Sequence, residues 1–195
     1  MSDKRQIILD TASTLFQAYG YHAVGIDRII AEAPVAKMTL YKYFPSKDFL
    51  ITSVLHERNK IFQQSIVEFI TRSNNPTDKI RLLFLWHHHW FQESTFNGCM
   101  FINAVAEFSE LDHSIRQVSI KHKIFIQELI ESILSRFPGN VSNQLAAQIL
   151  QLLDGAIIAA QIAGDSRAAF VAWRSATAIL NLNGIAIELN ASLEH

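Results

Sequence analysis

The chain has 195 residues, 49% of them hydrophobic and 18% charged, and a formal net charge of −1. That balance is enough to bury one sizeable core or two modest ones and excludes a disordered chain, while a single cysteine, Cys99, excludes an internal disulfide. There is no uninterrupted apolar stretch of about 18 residues and no apolar run at the N-terminus, so neither a membrane partner nor a signal peptide is expected, and the expected location is the cytoplasm.

The first informative pattern lies at residues 26–33. Ile26, Ile29, Ile30 and Ala33 recur at helical spacing, with Asp27, Arg28 and Glu32 on the opposite face. Pro34-Val35 then makes a break so tight that the segment reads as the first half of a helix-turn-helix. The second half is MTLYKYFPSK, residues 38–47. Leu40 and Phe44 give this short helix one buried edge, leaving Lys37, Met38, Thr39, Tyr41, Lys42 and Tyr43 over the remaining surface. Lysines suit phosphates or guanine edges and hydroxyls suit phosphate oxygens, so such a face fits a DNA groove. The competing reading is a small solvated helix whose tyrosines pack on a neighbour. Pro45 stops the helix. Ser46 caps the next, with Asp48 in its first turn and Lys47 placed to reach a DNA backbone.

Beyond residue 47 the periodicity is helical almost throughout, so the fold class is all-α. Helices are predicted over residues 47–72, 76–91, 99–111, 114–136, 142–163 and 167–189. Turn chemistry marks the breaks: Ser73-Asn74-Asn75-Pro76, residues 94–98, Pro138-Gly139-Asn140 and Gly164-Asp165. The last two helices are apolar over more of their circumference than one core-facing stripe requires. Leu145, Ile149, Leu153 and Ile157 are accompanied by Ala156, Ala159 and Ala160, then followed by Val171, Trp173, Ile179 and Leu180. A helix that is apolar on two sides needs two partners.

A small-molecule site is less legible. In Trp86-His87-His88-His89-Trp90 consecutive histidines diverge by about 100° around a helix and cannot converge on one metal. The segment instead suggests an aromatic and a histidine lining a pocket, with Trp86, His89 and Trp90 as candidates. Asn103 and Glu107, one turn apart, interrupt an apolar run, and an apolar cavity with a few fixed polar groups suits a small organic ligand. Glu107 facing solvent is the alternative. Gln148, Gln151, Asp154 and Gln161 form a second polar stripe, exposed or lining a cavity, from which Gln151 is a further ligand candidate. Cys99 reads as an inert buried thiol. Neither a metal site, a cofactor site nor a catalytic nucleophile is expected.

From Arg5 to Arg58 the chain resembles the DNA-binding domain of the TetR family of transcriptional regulators: a first helix over residues 5–19 ending at Gly20, then VGIDRIIAEA, then TLYKYFPSK. The match spans the first quarter of the chain. The resemblance implies an N-terminal three-helix DNA-binding domain with a helix-turn-helix, followed by an all-helical ligand-binding and dimerisation domain. It implies that Lys37, Met38 and Lys42 lie near bases, and Thr39, Tyr41, Tyr43 and Lys47 at or near phosphates. It also implies double-stranded operator DNA as partner and a homodimer formed through residues 142–189. Two positions depart from the family pattern: Pro34 stands where glycine is usual in the turn, and Ala36 where a serine commonly caps the recognition helix.

Residues 1–48 hold six Lys/Arg against five Asp/Glu, so the basic footprint is confined to a few side chains and a dimer is needed to double it. The expected domains are 1–46 for DNA binding and 47–192 for regulation and dimerisation, with Leu193-Glu194-His195 resembling a tag junction. The expected function is a homodimeric, ligand-responsive regulator, a repressor released from its operator by an unknown small organic molecule. The alternative is a helical ligand-binding or interaction protein that has lost specific DNA binding. An all-helical enzyme using His88, His89 and Glu107 would require those side chains to meet in one cleft.

Overall fold

In the computed structural model, which describes residues 4–137 and 142–187, all regular structure among the described residues is helical. The helices are α1 (Lys4–Tyr19), α2 (Ile26–Glu32), α3 (Lys37–Tyr43), α4 (Lys47–Ile70), α5 (Pro76–Phe91), α6 (Met100–Glu107), α7 (Ser114–Leu134), α8 (Ser142–Ala163) and α9 (Ala168–Leu182). The expected break at Pro138-Gly139-Asn140, the last helical residues to 189 and the tag junction lie outside the described residues.

Local chemistry explains most boundaries. Gly20 takes φ +82°, where a side chain is strained, and its N–H still donates to the Phe16 carbonyl, closing α1. Asn75 caps α5 by accepting from the Thr77 N–H at 2.9 Å, with Pro76 in the first turn. The Phe49 N–H donates to Ser46 Oγ at 3.1 Å, the cap expected for α4. Two helices are shorter than predicted by more than two residues. α6 ends at Glu107 because Phe108 leaves the helical conformation, at φ −118° and ψ 87°, and turns its ring toward Tyr21, His22 and His113. α9 ends at Leu182 because Gly184 adopts φ +79° and the Ile185 N–H bonds back to the Leu180 carbonyl.

The chain divides into two compact units, Met1–Phe62 with Cys99–His122, and Gln63–Gly98 with Lys123–His195. In the first, α1, α2 and α3 pack on one another around Ile8, Leu9, Phe16, Ile29, Leu40 and Phe44, all buried. In the second, α5, α8 and α9 pack together, with the Phe84 and Trp173 rings 5.4 Å apart and Leu83, Ile149, Leu153 and Leu180 buried. Each buried aliphatic or aromatic side chain contributes roughly 1.5–3 kcal/mol relative to exposure. By length and composition alone the α8 stretch Asn143–Ala163 is apolar enough to cross a membrane. Its buried positions are already used against α5 and α9, which is how an internal helix of a helical body passes the same test.

Candidate nucleic-acid interface

The turn between α2 and α3 closes without a positive φ. Ala33, held before Pro34, sits at φ −84° and ψ 5°, outside the helical region, and the Val35 N–H reaches the Ile30 carbonyl at 3.3 Å. Ala36 offers no side-chain cap, but its carbonyl accepts from the Thr39 N–H at 2.8 Å and the Leu40 N–H at 3.2 Å, so the first turn of α3 still forms. Pro34 and Ala36 are thus accommodated by the backbone. At the other end Pro45 forces Phe44 into an extended conformation, φ −133° and ψ 92°, which terminates α3 after seven residues.

Leu40 and Phe44 are fully buried, as their spacing predicts. The rest of α3 faces outward. Met38 is 80% exposed, an unusual position for a large apolar side chain unless it has a partner, and thymine methyl groups are one such partner. Tyr41 and Lys42 are exposed, while Thr39 and Tyr43 are half-buried at the edges of the same face. Lys37 forms a solvent-exposed ion pair with Asp27 of α2 at 2.9 Å. Its partner carboxylate holds the Lys37 ammonium above its ordinary pKa. Lys47, half-buried at the start of α4, donates to the His22 carbonyl at 3.4 Å. Arg5 lies over the buried Phe44 ring at 5.4 Å, tying α1 to the end of α3.

The residues expected to contact a ligand fall into both units. In the second, Trp86 and Trp90 are buried with ring centroids 5.7 Å apart, and Trp90 meets Phe96 edge-on at 5.1 Å. The Trp86 indole donates to Ser65 Oγ at 2.9 Å. His89 is exposed and edge-on to Phe69 at 5.5 Å, and the Arg72 guanidinium covers the other ring at 4.3 Å. His87 is the buried histidine of the run; desolvation holds its pKa well below the ordinary value, at about 4, and Nδ1 bonds the Leu83 carbonyl at 2.8 Å. His88 instead bonds the Ser166 carbonyl and stacks near Phe170.

The polar stripe on α8 separates into distinct uses. Asp154 pairs with Lys123 of α7, and Gln161 lies against the Gly98 backbone, where an added Cβ would fall 2.3 Å from its amide. Gln151 is exposed at the rim of a groove of about 290 Å³ between α8 and α9, beside Gly155, Ala159 and Val171. Small apolar residues of that kind suit helix packing better than recognition of a polar ligand.

Asn103 and Glu107 belong to the first unit. Both carboxylate oxygens of Glu107 are occupied: Oε1 accepts from the Tyr21 N–H at 2.9 Å and Oε2 from the His22 N–H at 2.6 Å. The sequence did not reveal this use, because the partners are backbone amides some 85 residues away. The available signal was Gly20, whose positive φ turns the following amides outward to accept an anion.

The α8 and α9 faces also differ from the expectation in detail. Ala156, Ala160 and Leu180 are buried within their own unit. The exposed apolar positions are Ile158, Ile162 at 82%, Val171 at 67% and Leu182 at 86%, with Gly155 and Ala159 between them.

Residues 8–54 match the family model described as bacterial regulatory proteins, tetR family. Over most of its length the chain is similar to YxaF, an uncharacterised HTH-type transcriptional regulator of Bacillus subtilis, with 29% identity over 163 residues, 80% of this chain and 84% of the relative. It is 26% identical over 121 residues to the HTH-type transcriptional repressor NemR of Escherichia coli, 61% of each chain. Its fold is similar to the crystal structure of SCO4454, a TetR-family transcriptional regulator from Streptomyces coelicolor, with a TM-score of 0.88, 26% identity and coverage of 93% of this chain and 96% of the other. An exposed helix bearing lysines and hydroxyls after a tight turn, a family model matched across that segment and regulators similar over most of the chain lead to one conclusion: residues 8–54 form a DNA-binding domain of the TetR family, and the protein is a DNA-binding transcriptional regulator.

Proposed function

We propose that the protein acts as a cytoplasmic homodimeric repressor that leaves its operator when a small organic molecule binds. The observation that carries this reading is the exposed apolar ladder of α8 and α9, Ile158, Ile162, Val171 and Leu182. Four large aliphatic side chains on neighbouring helices, with Gly155 and Ala159 allowing close approach, favour an isologous interface with a second copy. A dimer also supplies what one head lacks. Six basic against five acidic residues make a weak electrostatic footprint, and two heads on successive major grooves double it.

In this reading residues 1–46 bind DNA and residues 47–192 regulate and dimerise. Lys37, Met38 and Lys42 meet base edges, and Thr39, Tyr41, Tyr43 and Lys47 meet phosphates. Gln151 belongs to the dimer face. Ligand contact falls to the α5 aromatic group of Trp86, His89 and Trp90, whose largely apolar character suits a small aromatic or amphipathic molecule rather than a nucleotide. Binding changes the separation of the two recognition helices, and heads that no longer match successive grooves lose affinity together. The test is a screen of small aromatic and amphipathic compounds against the protein bound to a labelled duplex. The expected hit quenches tryptophan fluorescence and releases the DNA over the same concentration range. Quenching without release would remove the ligand-responsive part of the proposal.

A further inference from the structure

We infer that Glu107 is a positioning residue for operator recognition: its carboxylate fixes the α1–α2 loop, and with it the helix-turn-helix, to the end of α6. The inference rests on DNA binding and not on the proposed ligand response.

The α1–α2 loop runs from Gly20 to Gly25 and leads directly into the first helix of the helix-turn-helix. Its conformation begins at Gly20, whose φ of +82° presents the next two N–H groups to one side. Glu107 takes both, at 2.9 and 2.6 Å. Charge-assisted bonds to two adjacent amides fix direction as well as distance. The carboxylate lies so close over Gly20 that an added Cβ would sit 2.9 Å from Oε1. The Glu107 carbonyl adds a contact to His22 Nε2 at 3.0 Å.

α6 is held at its other end too. The Tyr21 hydroxyl, buried and pushed well above its ordinary pKa by that burial, remains protonated and donates to the Met100 carbonyl at 2.9 Å. One loop residue therefore bonds the first turn of α6 through its side chain and the last turn through its N–H. An eight-residue helix spans about 12 Å, so displacement of α6 along its axis breaks one of these bonds or drags the loop with it. The same loop touches the DNA-facing side, because the His22 carbonyl accepts from Lys47. Beside it, Phe108 lies 4.8 Å from the His22 ring and 5.0 Å from His113, whose Nε2 is 3.6 Å from Asp48 at the start of α4. The loop is therefore bonded to Glu107 directly, and its His22 carbonyl links it to Lys47.

The test uses the full-length protein and a duplex selected from a random pool by the wild type. Glu107→Gln keeps one neutral acceptor and turns an NH2 toward the other amide; Glu107→Ala removes both acceptors. Three readouts are needed: hydrogen exchange at the Tyr21 and His22 amides, affinity for the selected duplex, and affinity for an unrelated duplex. The expected result is faster exchange at those two amides by at least about tenfold, and selected-duplex affinity reduced about tenfold in the Gln variant and more in the Ala variant, where a factor of ten is about 1.4 kcal/mol. Affinity for the unrelated duplex should change by less than about twofold, since phosphate contacts need no register. A purely structural role would lower both affinities together with the folded fraction, and would overturn the inference. Loss of amide protection with selected-duplex affinity within twofold of wild type would also overturn it. If Glu107→Ala does not fold, the Gln variant alone decides. Failure of the wild type to select any duplex would instead strike at DNA binding itself.

Discussion

The outward face of α3 and the outward faces of α8 and α9 are both exposed and both contain large side chains, yet they are chemically unlike. On α3 the exposed set is Lys37, Met38, Tyr41 and Lys42; on α8 and α9 it is Ile158, Ile162, Val171 and Leu182. Charge and hydroxyls gain little from meeting a second apolar surface but much from meeting phosphate. Aliphatic side chains gain nothing from phosphate, but gain roughly 25 cal/mol for each Å² removed from water. Exposure alone therefore distinguishes neither face; the kind of atom exposed does. In the proposal one face is assigned to DNA and the other to a second copy of the chain.

The largest effect that would break this comparison is expected at Val171. Val171→Asp, or Ile162→Asp, should give folded monomers by sedimentation and lower operator affinity by more than about 100-fold, because the second head then binds as an independent molecule. Leu180→Asp is the control, since Leu180 is buried within its own unit and a charge there should abolish folding rather than assembly. Folded dimers in both Val171→Asp and Ile162→Asp would refute the assigned face.

The next effect separates a dry interior from a wet surface. His87 has a folded pKa of about 4 against an ordinary value of 6.5, because burial disfavours its charged form. The unfolded chain therefore binds the proton more readily. Stability attributable to neutral His87 is fully present above pH 6.5 and is lost as pH falls toward 4, by about 3 kcal/mol. Urea unfolding at pH 7.5, 5.5 and 4.5 should show this loss, and His87→Leu should flatten it. An unchanged slope in the variant would assign the acid sensitivity to other groups.

On the DNA side the expected effects are smaller. Lys47→Ala should weaken binding to every duplex about tenfold and reduce the salt slope by about 2 for a dimer, one phosphate per head. Tyr43→Ala should also weaken all sequences, with a smaller effect on the slope. Lys42→Ala and Lys37→Ala should change which sequences are preferred. Unchanged binding in both Tyr43→Ala and Lys47→Ala would sink the contact assignment. The smallest effect is expected at Asp27, which pairs with Lys37 across 2.9 Å of exposed surface. Asp27→Asn frees the lysine and removes a negative charge facing the phosphates, so affinity should rise about threefold at low salt and the gain should shrink as salt is added.

Much of the fold was legible because its signals are local. Proline, glycine and Asx or serine caps mark α1 to α5 to within two residues, and Leu40 and Phe44 lie where their spacing puts them. What escaped were relationships between distant segments. Periodicity showed α8 and α9 to be apolar on two sides, but could not say that Ala156, Ala160 and Leu180 face their own unit while Ile162 and Val171 do not. The pattern Asn103 to Glu107 suggested a polar group awaiting a ligand. The Glu107 carboxylate instead answers two amides released by the backbone of Gly20, a demand that exists only once α1 has ended in that conformation.

If a pair of α3 faces binds duplex DNA through a small number of lysines, binding to a duplex selected by the wild-type protein must weaken with salt in proportion to that number. With Lys47 alone on phosphate in each head, the logarithm of the binding constant should fall with the logarithm of salt concentration at a slope near −2; with Lys37 and Lys42 also on phosphates the slope approaches about −5. The expected result is a slope between these values, with the selected duplex bound at least about 1,000-fold tighter than an unrelated one. Equal affinity for both duplexes, or binding indifferent to salt, would contradict it.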